Sequence, residues 1–149
     1  MTIYFYKADD PYGCFSNFSL HAIDLDGDRW KTVEHYYQAH KFLGTVDEDL
    51  MEEIRNAATP EEAAKLGRDR ARTCRADWTR SKTDVMYRAV LHKFRTHTDI
   101  RQVLLATGSE ELVEDSPTDY FWGCGADRTG ENWLGKILMQ VRSILSNDE

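Results

Sequence analysis

Alternation of β-forming residues over 2–6 predicts a first strand, and the turn-rich cluster 9–13 closes it. Phe15-Ser16-Asn17-Phe18 carries neither a strand nor a helix period. The stretches 21–25 and 28–30 flank Asp26-Gly27, a dipeptide that type I′ hairpins favour because both central residues take positive φ. The first helical period covers about 32–43 and stops near Gly44. Within it Glu34, Gln38 and Lys41 fall on one narrow stripe, while Val33, Tyr36, Tyr37, Ala39, His40 and Leu43 take most of the remaining circumference. A second helix is expected over 47–58, with Leu50, Ile54 and Ala57 inward. Thr59-Pro60-Glu61-Glu62 is the clearest helix start: Thr59 caps, Pro60 suits the first helical position and Glu62 closes a capping box, opening a short helix to about Gly67.

Ser81-Lys82-Thr83-Asp84 resembles another such box and predicts a long helix to about Thr96, with Val85, Ala89 and then His92 or Phe94 inward. Thr98 is expected to cap a helix over 99–107 that Gly108 ends, and 112–114 reads as a short strand. A loop over 115–131, long for a compact domain and rich in Gly, Asp and aromatics, has the length of functional loops. Asn132 is expected to cap a last helix with Leu134, Leu138, Val141 and Leu145 inward. The resulting fold class is α+β: a single, mostly helical domain over 1–149 with a small antiparallel sheet.

Composition narrows the function classes. The chain has 149 residues, 41% apolar and 30% charged, which suits one globular domain with a real core. No apolar run approaches 18 residues, so no membrane span is expected, and the N-terminus lacks the basic and apolar regions of a signal peptide. Cys14, Cys74 and Cys124 form no CxxC pair and suggest reduced thiols in a cytoplasmic setting. Without a secretion signal the sequon Asn17-Phe18-Ser19 carries no weight. A net charge of −7 argues against a broad nucleic-acid face. Between 65 and 82, however, seven cations (Lys65, Arg68, Arg70, Arg72, Arg75, Arg80, Lys82) face only Asp69 and Asp77, a local +5 that leaves −12 elsewhere. That field suits a compact anionic ligand such as a nucleotide or sugar phosphate; the plainer reading is a set of solvated helix ends.

The Glu34–Gln38–Lys41 stripe is either an ordinary wet face, the usual case for a surface helix, or a small reaction centre. The histidines lack ligand spacing, and there is no G-x-S-x-G or Cys–His arrangement, so neither a metal nor a nucleophilic triad is expected. Gly123-Cys124-Gly125, with Arg128 and Gly130 beyond, offers backbone N–H groups to a phosphate, or is simply a flexible loop. Phe15, Phe18, Trp78, Tyr120, Phe121 and Trp122 lie in or beside irregular segments, where aromatics either stack on a flat base or cover the core. Asp119 is a carboxylate among aromatics, a setting suited to acid–base work.

Seven segments in order carry a resemblance: 12–18, 30–42, 64–68, Val85-Met86 with Lys93-Phe94, 104–107, Asp119-Tyr120-Phe121-Trp122-Gly123, and 134–139. Together, over about residues 3–145, they resemble the NADAR family of YbiA-like proteins. The resemblance implies a small N-glycosidase with the YbiA-like fold and no cofactor. Its substrates would be small molecules, either phosphorylated ribosylaminopyrimidines of riboflavin synthesis or ADP-ribosylated guanine, the latter reversing ADP-ribosylation. It points to Glu34, Asp119 and Trp78 as active-site positions and to Lys41 as the covalent residue of an imine route, with Lys82 its competitor and Lys136 a weaker one. Ser16 and Asn17 would contact the ribose and Arg68 a phosphate; Phe18, Gln38, Trp122 and Gly123 complete the expected substrate-binding set. The expected geometry brings Glu34 and Asp119 to one sugar-sized hollow. The alternative is a module that binds ADP-ribose or a related nucleotide without cutting it. Oligomeric state is not legible.

Overall fold

The structure is a computed structural model that describes residues 1–148. Its elements run β1 (Thr2–Phe5), a 3₁₀ turn (Gly13–Phe15), β2 (Ile23–Leu25), β3 (Asp28–Trp30), α1 (Val33–His40), α2 (Leu50–Arg55), α3 (Pro60–Gly67), α4 (Trp78–Thr96), α5 (Thr98–Ala106), β4 (Glu111–Glu114) and α6 (Trp133–Asn147). The α+β class is as the periodicity predicts. The residues cluster into two compact units, one of 1–19 with 94–149 and one of 20–93.

In the first unit β1 pairs with β4 in register Thr2↔Glu111 to Phe5↔Glu114, and the pair is parallel rather than the expected antiparallel. Parallel strands need a long return connection, so nothing local to either short strand announces the pairing. Helix α6 packs on β4 and on α5. Leu134, Leu138, Val141 and Leu145 are all buried on its inner side, as their spacing predicts. Phe5, Phe15 and Phe94 join the core as a run of aromatic contacts, with centroids 5.7 and 6.1 Å apart. Arg142 ties α6 to the end of α5 by donating to Thr107 Oγ1 at 2.9 Å and Glu110 O at 2.8 Å. Asn132 does not cap α6 with its side chain. It sits at φ 53° and turns its carboxamide onto β4, accepting from Glu114 N at 2.9 Å and donating to Leu112 O at 2.9 Å. The side chain thus stands in for the peptide group of a neighbouring strand, satisfying backbone groups that a two-stranded pair leaves open.

The second unit opens on the expected hairpin. Asp26 and Gly27 have φ of 57° and 85°, and Ile23 faces Trp30 across the antiparallel ribbon. Helix α1 packs against α2, α3 and β3, and all eight of its residues are buried. The wet-face reading of its polar stripe is thereby overturned, because the helices expected beside it close over both flanks. Thr32 caps α1 by accepting from His35 N, and the His35 ring, its proton affinity lowered by burial, closes the arrangement against Thr32 Oγ1 (2.7 Å) and Ala57 O (3.0 Å). Asp26 reaches back from the hairpin turn to Tyr36 and Arg88, each donating at 2.7 Å. Burial pushes the Asp26 carboxyl up, but those two hydrogen bonds and the Arg88 charge outweigh it and hold it below its ordinary value.

Thr59 caps α3 as predicted, although the Glu62 carboxylate receives Ala58 N rather than the N–H of Thr59. Helix α2 is shorter than expected at both ends. Helix α4 begins at Trp78, ahead of the expected box at Ser81, because the Asp77 carbonyl already accepts from Arg80 N and Ser81 N at 2.9 Å. Thr98 is inside α5, whose capping position falls on His97 with no side-chain cap. Among the described residues no helix is long and apolar enough to cross a membrane.

Candidate active site

The richest cluster of candidate residues lies in the 20–93 unit and is built on α1. Glu34, Gln38 and Lys41 follow one another along the helix axis because their spacing of four and three residues repeats the helical turn. Glu34 is 5% exposed and Gln38 2%, so both polar groups are dry. Gln38 Nε2 donates to Glu34 Oε2 at 2.7 Å. Lys41 stands at the C-terminal cap of α1, and its amine donates to Gly67 O at the end of α3, 3.3 Å away. The amine also sits 5.6 Å from the centre of the Tyr37 ring, which in turn packs 5.1 Å from the Trp78 ring. The irregular segment after α3 meets the end of α1, with Arg75 N donating to Lys41 O at 2.7 Å. Arg75 itself is locked by Asp77 at 2.6 Å.

Electrostatics give this amine an unusual setting. Burial lowers the proton affinity of Lys41, Glu34 and Cys74 pull it back up, and Arg68 and Lys82 push it down again. The balance leaves the amine easier to deprotonate than an ordinary lysine. Dehydration and two cations thus outweigh the pull of the Glu34 carboxylate on the amine's proton. Of the basic segment, Arg72 pairs with Asp47 and Asp69 and Arg75 with Asp77. Among the described residues Lys65, Arg68, Arg70 and Arg80 form no ion pair, and all four are exposed, so their charge is available to an anion.

The remaining candidates belong to the other unit. Ser16 and Asn17 are buried and Phe18 half-buried in the turn after the 3₁₀ segment, where Ser16 Oγ accepts from Phe18 N at 3.1 Å. In the late loop Asp119 Oδ1 accepts from Phe121 N at 2.9 Å and Trp122 N at 2.7 Å. Ser116 Oγ accepts in turn from Asp119 N at 3.0 Å. The loop is stitched to the start of α6: Tyr120, Phe121, Trp122 and Gly123 each offer a carbonyl to a backbone N–H between Glu131 and Leu134. Gly123 is needed for close approach, since a Cβ there would lie 2.9 Å from Glu114 O and from Ser116 Cβ. Cys124 N donates to Glu114 O at 2.9 Å, so that N–H of the Gly123–Gly125 run does not serve as a phosphate donor. Of the residues that line this arrangement, the sequence shows Tyr37 only as a helix position, Arg75 only as one of seven clustered cations and Gly67 only as a helix end, and nothing in it singles out Ser116.

The two oxygens of Asp119 are thus differently engaged. Oδ1 shapes the loop, while Oδ2 has no hydrogen bond or ion pair among the described residues. Asp119→Asn keeps the acceptor oxygen and removes the charge; Asp119→Ala removes both. The expected result is a folded, loop-intact but slow Asn variant, down about 10²-fold. The Ala variant should in addition lose about 1–2 kcal/mol of stability through its two orphaned N–H groups. Activity assays with thermal melts check this, and a fully active Asn variant would remove Asp119 from the chemistry. Among the described residues no group of three or more His, Cys, Asp or Glu is arranged to hold a metal.

The comparisons with known proteins agree with this architecture. An N-glycosidase of Nostoc punctiforme is 60% identical over 147 residues, covering 99% of this chain and 94% of its own. N-glycosidase YbiA of Escherichia coli is 45% identical over 144 residues, 97% of this chain and 88% of its own. Its NMR structure matches with a TM-score of 0.90 at 44% identity, over 99% of this chain and 88% of that one. The chloroplastic riboflavin biosynthesis protein PYRR of Zea mays is 50% identical over 153 residues; the match takes 95% of this chain but 25% of the maize protein. The NADAR domain model matches residues 4–146, and with these relatives it establishes that the chain belongs to the NADAR domain family.

Proposed function

We propose that this protein is an N-glycosidase that breaks the bond between ribose C1 and a base nitrogen in a free, phosphorylated ribosylaminopyrimidine. The observation that carries the reading is a dry Glu34–Gln38 pair in line with a half-buried Lys41 whose proton affinity is lowered. Cleavage of an N-glycoside needs a stabilised, cation-like C1 and a base that leaves with a proton. Glu34 supplies a desolvated negative charge for C1, by the logic that paired carboxylates serve in sugar hydrolysis. Gln38 holds that carboxylate in one orientation. The resemblance to the family, and not any observed proximity, assigns Asp119 the proton of the departing base and Trp78 or Trp122 the base face.

Lys41 gives the reaction a covalent course. Its neutral amine attacks C1, the C1–base bond breaks, and the base departs with the proton. Opening of the sugar ring leaves a protonated imine on Lys41. Water then adds to it and releases the free sugar and the amine, so the sum is one water consumed per bond cut. Arg68 and its exposed basic neighbours take the phosphate end, which places C1 by binding energy remote from the bond.

The choice of substrate rests on charge and on kinship. The acidic chain has a local basic segment but no broad cationic face, which suits a single nucleotide over a duplex. The maize relative is named for riboflavin biosynthesis, as is a Vibrio vulnificus relative 42% identical over 143 residues. The test is incubation with ribosylaminopyrimidine phosphates and, separately, with ADP-ribosyl-guanine, followed by mass analysis of the products. Release of ribose phosphate from the first is expected. Cleavage of the second alone would move the substrate to ADP-ribosylated guanine, and no cleavage of either would leave only nucleotide binding.

A further inference from the structure

We infer that Gly67 is a positioning residue for this chemistry: its missing side chain leaves the space in which the Gln38 carboxamide is held with its N–H on Glu34. The inference rests on the proposed N-glycosidase reading. Gly67 is the last residue of α3, and it is not among the glycines with positive φ, so no backbone conformation demands glycine there. In a helix, alanine is the better former. What glycine provides instead is space. A Cβ at 67 would lie 2.1 Å from Gln38 Oε1, 2.8 Å from its Cδ and 2.7 Å from its Cβ. The amide oxygen therefore occupies the volume that any other residue would fill.

The orientation of that amide is decided by its two ends. Nε2 donates to Glu34, whereas Oε1 is buried with no hydrogen-bond partner. Turning the carboxamide over would set two oxygens against each other at 2.7 Å, which a carboxylate opposes. Gln38 thus keeps an unsatisfied acceptor against Gly67 in order to keep a donor on Glu34. A methyl group at 67 evicts the oxygen, and the donor moves with it. Gly67 O also accepts from Lys41, so an effect transmitted through the lysine has to be told apart from one transmitted through the amide.

A double-mutant cycle separates them. Gly67→Ala alone is expected to lower kcat about tenfold while KM stays within about threefold, because substrate contacts remain and the placement of Glu34 is lost. In a Gln38→Gly background, which removes the side-chain atoms the new methyl group would meet, the same Gly67→Ala change should alter kcat by less than about threefold. Equal losses in both backgrounds, or no loss in either, would overturn the inference. Should Gly67→Ala alone fail to fold, the comparison of Gln38→Gly with the double variant still decides: a folded double variant with the kcat of Gln38→Gly supports it. An unfolded double variant, or a slower one, counts against it. A measurement without substrate separates this from the function itself. The Gln38 side-chain amide protons, followed by NMR exchange, should be protected in the parent and exchange at least about tenfold faster in Gly67→Ala. Unchanged exchange refutes the positioning role even if hydrolysis is observed. Absent hydrolysis with the exchange change present instead removes the glycosidase reading alone.

Discussion

Glu34→Gln is expected to cost this protein about 10³-fold in kcat, or about 4 kcal/mol of transition-state stabilisation, with substrate affinity within about threefold. The substitution preserves shape and retains an oxygen that accepts from Gln38 Nε2, so the 2.7 Å contact and the packing of α1 survive. What disappears is a negative charge in a site from which water is excluded. In such surroundings a fixed charge acts on a developing cation far more strongly than in water, and nothing has to reorganise when C1 becomes positive. In the proposed reading, binding draws on the exposed basic residues and the aromatic faces, which the substitution leaves in place. Product analysis measures the loss, and calorimetry with unreacted substrate measures the affinity. Normal turnover in the variant ends the assignment of Glu34. A parent protein that binds and never turns over is instead a nucleotide-binding module.

Hydride trapping during turnover is expected to leave a ribose-phosphate-sized adduct on Lys41, and Lys41→Arg should show neither adduct nor significant turnover, a loss of about 10²–10⁴-fold. Arginine keeps the positive charge and loses the nucleophile, so a purely electrostatic role would tolerate it better. The pH dependence follows from the direction of the shift. The ammonium form cannot attack, so activity rises with pH as Lys41 loses its proton. Because burial lowers that proton affinity, with Arg68 and Lys82 assisting, the midpoint should lie below the ordinary lysine value. Glu34 works in the opposite direction, so the residual activity of Glu34→Gln should show its rising limb at still lower pH. An adduct mapped to Lys82 would transfer the covalent role to α4. An unmodified protein under active conditions would leave direct attack by water as the route.

Much of the local structure was legible because its causes are local. Asp26-Gly27 announces its positive φ by residue type, and Thr59-Pro60 announces a helix start by the chemistry of the first turn. The inner leucines of α6 announce themselves by period. Where a side chain could serve its own helix or a distant strand, residue type does not decide between them. Asn132 was assigned to cap α6, yet its carboxamide pairs with β4, a partner that only the tertiary structure supplies. The parallel pairing of β1 with β4 was invisible for the same reason: the four residues of each strand contain no record of their direction relative to the other.

The candidate site divides along the same line. The sequence alone determined that Glu34, Gln38 and Lys41 share one side of a helix, that cations crowd 65–82, and that the order of motifs resembles the NADAR family. It left the polar stripe with two readings, because a period tells which residues share a face and not what covers it. The tertiary structure decided that this face is dry, that Gly67 closes on Gln38, and that Lys41 holds its proton less tightly than a lysine in water. Those properties depend on how many atoms from α2, α3 and the 68–77 segment displace solvent around each group. Desolvation is a sum over neighbours brought in from distant parts of the chain, and no local pattern contains it.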